Sequence, residues 1–113
     1  MSSLSVYSDQ ELMVMLKAGN EDAFTEIYKR YGTLLYYQAN QMLRDREAAK
    51  DLVQDLFITI WNNPENINIS SNLAGYFYIS VRNRVFKLIE KRRVRSDYLT
   101  AIEYSRSNYI HPI

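Results

Sequence analysis

Four residues at helical spacing could bind a basic partner. In the segment DLVQDLFITIW, residues 51–61, Asp51, Gln54, Asp55 and Ile58 share one side of a predicted helix. Two carboxylates and an amide around an exposed isoleucine would form a docking surface for a cationic protein. The same pattern is also typical of an ordinary amphipathic helix with a solvated acidic side.

A second group of residues, about twenty positions later, has the chemistry of a nucleic-acid surface. Away from its apolar stripe, this predicted helix presents Tyr76, Ser80, Arg82, Asn83, Arg84, Lys87 and Lys91. Basic side chains neutralise phosphates, while tyrosine and asparagine add stacking and hydrogen bonds to the bases of a single strand. Basic residues near a helix C-terminus also complement the helix dipole without any ligand.

The polar loop before this helix could hold an unstacked base. Its members that both donate and accept hydrogen bonds are Asn66, Asn68, Ser70, Ser71 and Asn72. Such groups can bind the Watson–Crick edge of a flipped base. Between helices, however, asparagine and serine more often form turns and caps.

The elements that must position these residues are helices. Only three glycines and two prolines occur among 113 residues. Apolar residues recur at three and four positions and predict a buried stripe on each long helix. These stripes are Ala23, Phe24, Ile27, Tyr28, Tyr31, Leu34 and Leu35 on the second helix, Ala49, Leu52, Val53, Leu56, Phe57, Ile60 and Trp61 on the third, and Ala74, Phe77, Tyr78, Val81, Val85, Leu88 and Ile89 on the fourth. Ser8, Asn20 and Asp45 are predicted helix caps, and Asn63-Pro64 ends the third helix. A fourth helix is predicted from Ser71 or Asn72 to about Arg95. The sequence therefore predicts an all-α single domain of about four helices.

Charge is distributed unevenly along the chain. The net charge is +1, but residues 1–65 hold six basic and ten acidic side chains, and residues 66–95 hold seven basic and one acidic. This asymmetry indicates two surfaces with different partners.

The composition argues against an enzyme, a membrane protein and a secreted protein. Cysteine is absent, the single histidine is His111 near the C-terminus, and the glycines are isolated, so no catalytic constellation, metal site or cofactor loop is predicted. No signal peptide or membrane span is apparent, so a cytoplasmic protein is expected.

Taken in order, three segments resemble region two of bacterial sigma factors of the extracytoplasmic-function (ECF) group. Residues 23–43, AFTEIYKRYGTLLYYQANQML, resemble the first region-two helix of these factors. Residues 51–61, DLVQDLFITIW, resemble the second helical segment. Residues 72–93, NLAGYFYISVRNRVFKLIEKRR, resemble the promoter-reading helix, including the pair Arg82-Asn83. The resemblance covers about residues 8–95.

The resemblance implies a role for each surface. Asp51, Gln54, Asp55 and Ile58 would dock on the clamp helices of the largest subunit of core RNA polymerase. The loop 66–72 would capture a flipped base of the non-template strand of the minus-ten promoter element. The residues implied for strand and phosphate are Tyr76, Arg82, Asn83, Arg84 and Lys91. Lys87 stands where many family members have an acid, and it is left out of this set.

The resemblance also implies a division of the chain and a set of partners. Residues 1–95 would form the region-two domain, and residues 96–113 a linker-like tail, with a short helix expected at Tyr98–Tyr104. The family's second domain, a helix-turn-helix reader of the minus-35 element, is not found in this sequence. Such a factor could be silenced by an anti-sigma factor that covers both surfaces.

Two alternatives from other classes remain open. A helical protein–protein adaptor would use the acidic and basic surfaces for two protein partners and bind no nucleic acid. A peripheral membrane module would use Lys91–Arg95, although that run lacks an adjacent exposed apolar side.

Overall fold

Helices account for nearly all of the chain that the structure describes. The structure is a computed structural model that describes residues 3–68 and 72–110. Its helices are α1 Asp9–Lys17, α2 Glu21–Leu43, α3 Arg46–Asn62 and α4 Leu73–Ile110, with short 3-10 turns at Ser3–Val6 and Pro64–Asn66. The predicted all-α architecture is confirmed.

The first three α-helices begin directly after the cap residues that were predicted from the sequence. The hydroxyl of Ser8 accepts a hydrogen bond from the backbone N–H of Glu11 at 3.1 Å, and the Glu11 carboxylate accepts from the N–H of Ser8 at 3.0 Å. The side chains of Asn20 and Asp45 each accept from the backbone N–H three residues later. Each side-chain oxygen satisfies an N–H that the helix itself leaves unpaired.

The fourth helix is longer than the sequence analysis predicted. It was expected to end near Arg95, but it continues unbroken to Ile110, so the short helix expected at Tyr98–Tyr104 is part of α4. No glycine or proline lies between Gly75 and Pro112, so nothing in this stretch breaks the helix. Residues 96–107 are all exposed. The division into a domain of residues 1–95 and a tail stays a prediction.

A cluster of aromatic rings joins α2, α3 and α4. The ring centroids of Phe57 on α3 and Phe77 on α4 lie 5.4 Å apart. From α2, Tyr28 lies 4.8 Å from Phe57, and Tyr31 lies 4.9 Å from Phe77. Tilted and edge-on rings at these distances attract one another in addition to the apolar area that they bury.

Several residues predicted to be buried lie at the surface instead. The α3 stripe is buried as predicted up to Ile60, but Trp61 is 36% exposed. On the predicted apolar sides of α2 and α4, Tyr28, Leu34, Ala74, Tyr78 and Ile89 are exposed. Each of the three long helices contacts the other two, and α1 contacts α2, so this small bundle covers only part of the surface of each helix.

Arg30 fastens the N-terminal segment to α2. Its guanidinium donates hydrogen bonds to Glu26 at 2.9 Å, to Asp9 at 3.0 Å and to the carbonyls of Leu4, Ser5 and Tyr7 at 2.7–3.3 Å. Hydrogen bonding to the Glu26 carboxylate raises the pKa of Arg30 above its usual value. The hydroxyl of Tyr31 donates to Asp9, which therefore joins α1 to α2 through two partners.

Although α4 is long, no helix in residues 3–68 and 72–110 has a stretch apolar enough to cross a membrane. Over the same residues, no three His, Cys, Asp or Glu side chains come together as ligands for a metal ion.

We expect stability to fall in alkaline solution through Tyr31. Burial, followed by the hydrogen bond to Asp9, raises the pKa of Tyr31 from 10.0 to about 12. The fold thus favours the protonated phenol, so its contribution is complete below pH ~10 and is lost as the pH rises towards 12. Urea unfolding between pH 9 and 11.5 should show a steeper loss of stability in the wild type than in Tyr31→Phe. Tyr104→Phe, at an exposed position, is the control and should follow the wild type, whereas parallel curves for all three proteins would contradict this assignment.

Candidate functional site

The predicted docking residues lie together on the exposed side of α3. Asp51, Gln54, Asp55 and Ile58, here called the acidic face, are all exposed, and Ile58 is 56% exposed. They are held outward because Leu52, Val53, Leu56 and Ile60 are buried on the other side of the same helix. Neither Asp51 nor Asp55 forms an ion pair with a residue that the structure describes. Both carboxylates are therefore available to a cationic partner.

An apolar cavity lies at the end of the acidic face. It has a volume of about 360 Å³ and is lined by Glu21, Phe24, Thr25, Ile58 and Trp61. Trp61 packs its indole against Phe24 of α2, with ring centroids 5.3 Å apart. Trp61 was predicted to lie in the core, and its place in this surface was not predicted. The sequence signal for its partial exposure was its position at the end of the apolar stripe, one turn from Ile58.

The loop between α3 and α4 is held by an apolar residue inside it. Ile67 is only 2% exposed and belongs to the core. Its carbonyl accepts a hydrogen bond from Nζ of Lys17 on α1 at 2.5 Å. The flanking Asn66 and Asn68 are exposed. The roles of Ile67 and Lys17 were not predicted, although isoleucine within an otherwise polar loop was a visible sign of an anchor.

The other predicted loop residues differ in what they can do. The side chain of Asn72 accepts a hydrogen bond from the N–H of Gly75 at 3.2 Å and so caps α4. Ser70 and Ser71 lie outside the described residues. Of the predicted loop residues that the structure describes, Asn66, Asn68 and Asn72 are exposed, and their contact with a base stays a prediction.

On α4, the predicted strand-binding residues separate into exposed and packed ones. Arg82, Asn83 and Lys91 are exposed, and the guanidinium of Arg82 lies 5.8 Å from the ring centroid of Phe86. Tyr76 was predicted to be exposed, but it is half-buried beside Phe77, with ring centroids 5.8 Å apart. Arg84 is also half-buried and donates to the hydroxyl of Thr59 at 3.2 Å.

The two predicted surfaces face each other across a groove. This groove between α3 and α4 has a volume of about 470 Å³. Asp51 and Asp55 line one wall, and Arg84, Lys87 and Arg92 line the other. Arg92 forms an ion pair with Asp45 at 3.2 Å. Because opposite charges attract, the carboxylates on one wall and the cations on the other partly screen each other from ligands.

The matched family covers both charged surfaces and the loop between them. Sigma-70 region 2 matches residues 27–95, which include the acidic face, the loop and the basic part of α4. The chain belongs to the sigma-70 region 2 family. The resemblance recognised in the sequence is thereby confirmed.

A curated relative is similar over much of the same region. The ECF RNA polymerase sigma factor SigW of Bacillus subtilis (strain 168) is 27% identical over 78 residues. The similar part covers 69% of this chain and 42% of that protein, so the chain spans less than half the length of this relative. No solved structure matches the chain.

We expect the buried side chain of Ile67 to hold the region 2 loop in place and to stabilise the fold. Ile67→Ala should lower the free energy of unfolding by about 2–4 kcal/mol, because it removes a buried side chain and leaves a cavity. Chemical denaturation measures this loss. Ile58→Ala deletes the same atoms at an exposed position and should leave the denaturation midpoint close to that of the wild type. Equal midpoints for the two variants would mean that Ile67 does not anchor the loop.

Proposed function

We propose that this region 2 chain is a module of a sigma factor that docks on core RNA polymerase and binds the opened minus-ten promoter strand. The observation that carries the proposal is the family match over residues 27–95, which spans both charged surfaces and the loop between them. The similarity to an ECF RNA polymerase sigma factor supports the same role. In this role the chain catalyses no reaction and acts by binding.

Polymerase docking is assigned to the acidic face. Unpaired carboxylates at Asp51 and Asp55 attract a basic partner and speed its approach, while the exposed Ile58 adds apolar area to the contact. A partner helix presenting both basic and apolar side chains would match this surface. The clamp helices of the largest polymerase subunit are the partner that region 2 implies.

Strand binding is assigned to the loop and the exposed side of α4. Arg82 and Lys91 would neutralise phosphates, and Asn83 would hydrogen-bond to base edges. Asn66 and Asn68, on either side of the anchored Ile67, would hold one flipped base. Binding to an opened strand favours strand separation, because each base held in this way contributes about 1–3 kcal/mol that the duplex does not receive.

The first prediction of this assignment concerns the polymerase. Asp51→Lys with Asp55→Lys should abolish co-elution with core RNA polymerase on gel filtration, because attraction becomes repulsion while both positions remain exposed. Circular dichroism should show an unchanged helix content.

A charge-matched variant controls for this experiment. Glu90→Lys with Asp97→Lys changes the net charge by the same amount on α4, away from the acidic face, and should still co-elute. Retained co-elution of a folded Asp51, Asp55 double variant would overturn the docking assignment. It would favour a protein–protein adaptor without a polymerase role.

The second prediction concerns the promoter strand. Affinity for a single-stranded minus-ten oligonucleotide, measured by fluorescence anisotropy, should fall steeply as salt rises. Arg82→Ala with Lys91→Ala should weaken binding and reduce the slope of log affinity against log salt by about 1.4, or ~0.7 for each lost phosphate contact. An unchanged slope would remove these two residues from the strand-binding surface.

A further inference from the structure

Lys17, the last residue of α1, is bonded to the loop between α3 and α4. Its Nζ donates a hydrogen bond at 2.5 Å to the carbonyl of Ile67, which lies 50 residues further along the chain. The same helix contacts the 3-10 turn Pro64–Asn66 that precedes Ile67. Lys17 is half-buried, and no carboxylate in residues 3–68 and 72–110 forms an ion pair with it. Its charge therefore strengthens the bond to the loop carbonyl.

The helix that carries Lys17 is itself firmly held. Leu12 and Leu16 of α1 are buried in the core. At the other end of the helix, Asp9 forms an ion pair with Arg30 of α2 at 3.0 Å. Because both ends of α1 are fixed to the bundle, the ammonium of Lys17 is a fixed point to which the loop is attached.

The bond from Lys17 controls the one part of Ile67 that its other contacts leave free to turn. The side chain of Ile67 is buried, and its N–H donates to the carbonyl of Pro64 at 3.2 Å. What these contacts do not restrain is rotation about ψ, which is 125° at Ile67. The peptide bond is planar, so the direction of the Ile67 carbonyl also fixes the N–H and Cα of Asn68. Lys17 therefore sets the direction in which the chain leaves Ile67 towards the rest of the loop.

We propose that Lys17 is a positioning residue for base capture: by fixing the peptide between Ile67 and Asn68, it holds Asn68 where it binds the flipped base of the minus-ten strand. The inference rests on the proposed function, which assigns Asn66 and Asn68 to that base. A loop that is already ordered loses less conformational freedom when it binds, so the bond from Lys17 favours binding without touching the DNA. Lys17 lies outside the matched residues 27–95, so the family match gives it no role.

Burial favours this positioning role over a direct contact between Lys17 and a phosphate. Arg82 and Lys91, which are assigned to phosphates, are exposed on α4. Lys17 is half-buried, and its ammonium is already bonded to a carbonyl of the protein. The two roles also differ in their response to salt, because a lost phosphate contact lowers the salt dependence of binding, whereas a misplaced loop does not.

Strands that lack a single base test the inference with the full chain. The single-stranded minus-ten oligonucleotide is compared with a set in which each base in turn is removed while its phosphate is kept. The position at which the wild type loses most affinity identifies the flipped base. Lys17→Met keeps the aliphatic stem, removes the ammonium and should weaken binding of the intact strand about fivefold. For the strand abasic at that position, the same substitution should change affinity by less than about twofold, because no base is left to position.

The matched control removes the same charge from a different helix. Lys29→Met replaces an exposed lysine of α2 and should bind both strands like the wild type. The decisive quantity is the ratio of the two affinities measured on one protein sample. An unfolded fraction would lower both apparent affinities equally, so a loss of stability in Lys17→Met would leave this ratio at its wild-type value.

The possible results separate this inference from the proposed function. If the wild type recognises the abasic position and Lys17→Met keeps the same ratio, the inference alone is wrong. If Lys17→Met reduces the slope of log affinity against log salt by ~0.7, Lys17 binds a phosphate, and the positioning role is overturned. If the wild type binds the strand but no single base matters, the assignment of the loop to a flipped base fails, and the inference fails with it.

Discussion

The contact between Phe57 and Phe77 is the interaction on which the arrangement of the surfaces depends. It joins α3, which carries the acidic face, to α4, which carries the basic residues, at a centroid distance of 5.4 Å. Tyr28 and Tyr31 of α2 pack against these two rings and limit how α3 and α4 can tilt. Because interiors are closely packed, a change of volume at either ring would alter the angle between the two surfaces.

The groove between α3 and α4 has an electrostatic consequence for binding. Asp51 and Asp55 face Arg84, Lys87 and Arg92 across it, so the field of each wall reduces that of the other. A cationic partner on the acidic face would remove this mutual screening and leave the opposite wall more attractive to phosphates. Occupation of one surface would then favour occupation of the other, and by thermodynamic reciprocity the effect would hold in both directions.

Local patterns in the sequence predicted local features well and exposure less well. Ser8, Asn20 and Asp45 were recognisable caps because their function depends on residues only three positions away. The burial of Tyr76 and the exposure of Trp61 were not predictable, because each depends on which neighbouring helix reaches that turn. The role of Arg30 also escaped notice, since its carbonyl partners lie more than twenty residues away. Helix spacing fixes the side on which a residue lies, whereas packing decides how much of that side is covered.

Because α4 is unbroken, a tilt of this helix about the aromatic cluster would displace its whole length, and most of all its C-terminal end. From Phe77 to Arg106 the helix rises about 44 Å, at 1.5 Å per residue. A rotation of α4 by ~5° about Phe77 would therefore swing its far end through about 4 Å, close to the width of a side chain. Small adjustments in the core, including those caused by a bound partner, would be amplified into displacements at the tip large enough to make or break a contact.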